Sequence, residues 1–177
     1  MPIILMLLGL LAAGLVWYWR LKMAREAGGE LLEAAGNVRS AVRRFGYRRK
    51  SNKHPVDCVE DARLAASGIM AAVAGMDGPL SRSEIDAIAI EARAVFKTSP
   101  EEADEIAAFG RWIAGQCVSP DDAVRRLTKV TRRLAGVEAG PDLIAMTERV
   151  AIADGAEMTD GQQSAVAMIR RLIEPAR

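Results

Sequence analysis

A chain of 177 residues, half of them hydrophobic, is long enough for one domain with an apolar core plus an appendage. The formal charge of +1 hides an asymmetry: residues 20 to 53 sum to +7 and residues 54 to 177 to −6, so a basic strip precedes a mildly acidic region and the two halves suit different surroundings. Sparse aromatic and β-branched residues argue against a sheet protein, and two cysteines, Cys58 and Cys117, exclude a disulfide scaffold and read as buried reduced thiols.

The first element is "PIILMLLGLLAAGLVWYW", Pro2 to Trp19, 18 residues without a charge. As a helix it reaches about 27 Å, near the hydrocarbon thickness of a bilayer. No Lys or Arg precedes it and no small-residue cleavage pattern follows "WYWRLK", so it reads as an anchor rather than a signal peptide. Trp17, Tyr18 and Trp19 form an aromatic belt, and Arg20, Lys22 and Arg25 follow. The positive-inside rule then places the N-terminus outside and the rest in the cytoplasm, a single-pass inner-membrane topology.

Residues 23 to 53 form a basic juxtamembrane helix and linker ending in "RRFGYRRKSNKH". Arg39, Arg43, Arg44, Arg48, Arg49 and Lys50 are expected at the membrane surface, where each cation adds on the order of 1 kcal/mol of attraction to anionic lipid. A strip tethered this close to a bilayer meets lipid before nucleic acid, and no nucleic-acid partner is expected.

From His54 to Arg177 the helix-start signals are legible. "DCVE" at Asp57, "SRSE" at Ser81, "SPEE" at Ser99, "SPDD" at Ser119, "GPDL" at Gly140 and "TDGQ" at Thr159 supply cap residues, first-turn prolines or an acid or amide three residues on. Apolar residues then recur near the 3.6 period, for example Ile106, Gly110, Ile113 and Cys117, or Val124, Leu127, Val130 and Leu134. No segment alternates long enough for a strand. The fold class is therefore all-α: an N-terminal transmembrane helix followed by a compact bundle of about six to seven helices.

Two stretches repeat a pattern. "VAGMDGPLSRSEID", Val73 to Asp86, and "VAIADGAEMTDGQQ", Val150 to Gln163, each run from a helix end through Asp-Gly to a capped helix. Ser81 with Glu84 and Thr159 with Gln162 read as capping boxes, and Gly78 and Gly155 as left-handed helix ends. The spaced Asp and Asn ligands of an EF-hand are absent, so a turn explains both copies without a metal.

The pair "MAAVAGMDGPLSRSEIDAI" and "ERVAIADGAEMTDGQQSAV" resembles the TerB-like family of tellurite-resistance and stress proteins. It is similar in particular to the version between the membrane anchor and the J domain of DnaJ-like co-chaperones. The resemblance runs from about Pro55 to Glu174 and implies a compact bundle whose paired acidic motifs bind divalent cations. Carried over by position, it implies Asp77, Glu84 and Asp154 as metal ligands, with a neutral Gln162 where the family has a carboxylate. No cofactor is expected beyond a weakly held divalent cation. The J domain's uninterrupted His-Pro-Asp is absent, since "HPVD" at His54 has an intervening valine and reads as a lead-in to a helix capped by Asp57.

No nucleophile elbow or phosphate loop occurs, and the one histidine, His54, sits in a linker, so an enzyme is not expected. The helix from Pro120 to Gly136 sets Arg126, Lys129 and Arg133 opposite its apolar stripe, either a solvated face or a docking surface for an acidic partner or lipid headgroups. Function reads as a membrane-anchored, non-enzymatic adaptor in a stress or envelope response. The alternative is an accessory or assembly subunit of a larger integral-membrane complex, respiratory or photosynthetic.

Overall fold

The computed structural model describes residues 35–50 and 52–174. The chain divides into two compact units, Met1–Gly36 and Asn37–Arg177, and the architecture below is that of the second. The expected membrane anchor, Pro2 to Trp19, lies outside the described residues. Among the described residues, no helix is long and apolar enough to cross a membrane.

The first described helix, α1, covers residues 35–44. A short 3-10 turn, Pro55–Cys58, leads to α2, Ala62–Ala74. Then come α3, Arg82–Phe96, α4, Pro100–Ala114, α5, Pro120–Ala135, α6, Gly140–Ala151, and α7, Asp160–Ile173. No strand occurs among the described residues.

The centre of the bundle is α2. Every residue from Leu64 to Ala74 is buried, as expected of a helix apolar all round. It packs on α4 and α5 most heavily, with α3, α6 and α7 completing the ring. Two glycines permit the approach: a Cβ at Gly110 of α4 would lie 2.6 Å from the Ser67 carbonyl carbon of α2, and one at Gly68 would meet Ile113 and Leu127 at 2.8 Å.

Of the expected basic juxtamembrane helix and linker, residues 23 to 53, the part from Asn37 on belongs to the second unit. Ala41 and Tyr47 are buried in its core. The Tyr47 ring meets Phe109 and Trp112 edge-on at centroid distances of 5.3 and 5.5 Å, and its hydroxyl donates to the Pro55 carbonyl.

Local chemistry explains most helix starts. Ser81, Ser99, Ser119 and Thr159 each accept from the backbone N–H three residues on, and Ser81 and Thr159 complete capping boxes. Three expectations are corrected. Asp57 caps nothing: proline at position 55 begins a 3-10 turn, the chain then extends through Val59, and Asp61 caps α2 by accepting from the Arg63 N–H. Gly140 is the first residue of α6, behind an Ala139 cap that offers no side-chain bond, with the proline at 141 supplying the start. Gly155 does take the left-handed backbone, at φ +88°, but Gly78 does not; α2 ends instead at Gly75, whose N–H reaches the Ala71 and Val73 carbonyls.

Candidate functional site

The outer face of α5 is strongly charged. Its inner stripe, Ala123, Val124, Leu127, Thr128, Val130 and Thr131, is buried, so the 3.6-residue period turns the intervening cations outward. Arg125, Arg126, Lys129 and Arg133 line a cleft of about 450 Å³ with Val130 at its wall and Asp57, from the 3-10 turn, across from them.

These cations are not equivalent. Arg125 Nη2 donates to Asp122 Oδ1 at 2.7 Å, and Arg126 Nε is shared between Oδ1 and Oδ2 at 3.0 and 2.9 Å. The two bonds, Arg125's first, hold the Asp122 carboxyl below its ordinary range. Arg133 Nη2 donates to the Val59 carbonyl at 3.3 Å, which fixes the far end of the cleft to the chain before α2. Lys129 stands exposed between these pairs. Arg126, Lys129 and Arg133, singled out from sequence, thus meet in one concavity, and Arg125 joins them.

His54, Cys117 and Asp122 lie just beside this cleft, with donor atoms within 4.8 Å of one another; among the described residues this is the one cluster of metal-ligand types. Each of the three residues is at least partly engaged or muted. His54 Nδ1 accepts from the Val56 N–H at 3.3 Å, and Asp122 belongs to the two arginines. Burial, and then the Asp122 charge, push the Cys117 thiol above its ordinary value. A thiol kept neutral is a poor nucleophile, and a carboxylate neutralised by two guanidiniums is a poor ligand.

The acidic motif residues are placed differently. Glu84 is 3 % exposed, and its Oε2 accepts from the Ser81 N–H at 2.7 Å and the Ser81 hydroxyl at 2.8 Å. Asp154 is exposed and caps its own turn, Oδ1 accepting from the Ala156 N–H at 2.9 Å. Asp77, also exposed, accepts from Gln162 Nε2 at 3.3 Å. Their oxygens do not gather within 4.8 Å of one another. Calcium takes six to eight convergent oxygens, and these three carboxylates do not converge.

Of the residues expected at a lipid surface, Arg39, Arg43, Arg48 and Arg49 are exposed. Arg44 is bound to Glu105 of α4, Nε to Oε2 at 2.6 Å and Nη2 to Oε1 at 3.2 Å, and Lys50 Nζ lies 3.8 Å from Glu60. Sequence reasoning missed the Arg44–Glu105 pair and the forked pair of Arg149 with Glu91, both bonds 2.6 Å, that joins α6 to α3. It also missed the reach of Gln162 to Asp77.

The family model described as "Tellurite resistance protein TerB" matches residues 63–174, more than half of the chain, from the second residue of α2 to just past the end of α7. The chain belongs to the TerB family. The paired helix-turn-helix copies on which the resemblance rested both fall inside the matched residues. No curated protein matches the chain, and no solved structure does.

Proposed function

We propose that this TerB-family chain is a membrane-tethered, non-enzymatic adaptor whose helical domain docks an acidic protein partner in the α5 cleft. The cleft carries the reading: Arg125, Arg126, Lys129 and Arg133 line one concavity, and two arginines are already oriented by Asp122. Pre-set guanidiniums lose less side-chain freedom on meeting a carboxylate, and clustered cations steer an acidic partner to the surface. The neutral Cys117 thiol and the engaged His54 support a binding role over a catalytic one. The uncharged run Pro2 to Trp19, with Arg20 and Lys22 behind it, supports the tether and a cytoplasmic domain.

Co-purification of the full chain after mild detergent extraction tests this. Replacing Arg126, Lys129 and Arg133 together by Glu should abolish recovery of the partner that wild type retains, with the helical circular-dichroism signal unchanged. Equal recovery would reduce the α5 face to a solvated surface. An alkaline phosphatase fused after Arg177 should stay inactive; an active fusion would overturn the topology.

A further inference from the structure

The two motif copies differ in what their capping-box side chain does with its spare capacity. In the first copy the third helical residue is Glu84, and one of its oxygens takes both the N–H and the hydroxyl of its own cap, Ser81. In the second copy that place belongs to Gln162. Its Oε1 accepts from the Thr159 N–H at 2.9 Å, which completes the box. A carboxamide then has two protons left, and both are directed away from its own helix. Nε2 lies 3.3 Å from Asp77 Oδ2 and 3.5 Å from the Ala74 carbonyl, 85 and 88 residues away in the chain.

Gln162 is fully buried, so its amide protons have no water to fall back on, and leaving them unmade would cost the desolvation of the group. The oxygens they reach are a carboxylate and a backbone carbonyl, the ligand types that a hard divalent cation collects. Here a neutral NH₂ group collects them, with one proton for each oxygen. It ties the end of α2 to the first turn of α7 and joins the two motif copies.

We infer that the Gln162 carboxamide is a built-in substitute for a bridging cation, which makes the fold of this domain independent of calcium and magnesium. The corollary is a latent cation site one substitution away. Gln162→Glu keeps the oxygen that accepts from Thr159 N–H, because glutamate serves a capping box as well as glutamine does. It replaces the two donor protons by a second anionic oxygen facing Asp77 and the Ala74 carbonyl. A buried carboxylate placed beside the Asp77 carboxylate calls for a proton or a dication between the two.

The test is a set of thermal melts of the full chain in a non-ionic detergent, with chelator, with millimolar calcium and with millimolar magnesium. Wild type should melt at one temperature in all three. Gln162→Glu should melt lower than wild type in chelator and rise with cation concentration, because a ligand bound only by the folded state raises its stability. Adding Asp77→Asn to Gln162→Glu should cancel that rise. Gln162→Met, similar in shape but without donors, should melt lower by the same amount under every condition. If Gln162→Glu does not fold in chelator, recovery of its helical signal on adding cation supports the inference, and no recovery overturns it. A wild-type melting temperature that rises with cation and loses the rise in Asp77→Asn overturns it, as does a folded Gln162→Glu indifferent to cation.

Discussion

Substituting Gly110 by alanine tests whether the α2–α4 crossing is as close as the geometry has it. A Cβ there would lie 2.6 Å from Ser67 C, 2.6 Å from Ser67 Oγ and 2.7 Å from Ser67 O, roughly 1 Å inside the usual carbon contact of 3.5–4.0 Å. The Ser67 side chain cannot swing aside freely, since its hydroxyl donates to the Leu64 carbonyl at 2.9 Å and the residue is fully buried. Nor can α2 shift freely, because Gly68 already faces Leu127 of α5. Overpacking of this kind costs about 1–3 kcal/mol, and forfeiting the Ser67 hydroxyl bond adds about 1 kcal/mol. The helix-propensity gain of alanine over glycine returns about 1 kcal/mol. The net expectation for Gly110→Ala is a loss of about 1–3 kcal/mol, read as a lower urea midpoint with an unchanged slope. Gly161 is the control, because the added methyl in the first turn of α7 would meet only Thr159 Oγ1 at 3.8 Å. Gly161→Ala should gain up to about 1 kcal/mol. A Gly110→Ala protein as stable as wild type would refute the close crossing.

Two further outcomes follow from buried and paired groups. Thr128 Oγ1 is buried and has no hydrogen-bond partner among the described residues, so Thr128→Val should stabilise the fold by about 1 kcal/mol; a lower melting temperature would show that the hydroxyl is used. The Asp122 carboxyl is depressed by Arg125 and Arg126, so the stability it contributes is present above its unfolded value of about 3.9 and is lost as pH falls through the lower folded value. Asp122→Asn should therefore flatten the acid limb of a stability-versus-pH curve below about pH 4, and an unchanged limb would contradict the pairing.

What the sequence made legible was what a few neighbouring residues settle among themselves. Ser81, Ser99, Ser119 and Thr159 cap helices because each cap closes within four residues. The cationic face of α5 was legible for the same reason, since period alone separates Arg126, Lys129 and Arg133 from Val124, Leu127 and Val130. The start of α2 was misread because two acids four residues apart, Asp57 and Asp61, both suit a cap, and the choice depends on a 3-10 turn that buries Val56 and Cys58 against the bundle. The long-range bonds carried no local signal. Arg44 finds Glu105 across 61 residues and Arg149 finds Glu91 across 58, and nothing in the spacing of an arginine says which helix will lie beside it.

The repeated motif shows how the two kinds of information combine. A capping box needs only an acceptor at its third residue, so glutamate and glutamine are interchangeable while attention stays on one helix. They cease to be interchangeable once α2 brings Ala74 and Asp77 alongside the start of α7, because the second function of that side chain is then to donate. Glu84 accepts both of its contacts from Ser81; Gln162 caps with its oxygen and bridges with its nitrogen. The neutral Gln162, standing where the resembling family has a carboxylate, therefore has a positive structural role. An oxygen replaced by an NH₂ group lets one side chain hold a helix start and a distant turn together.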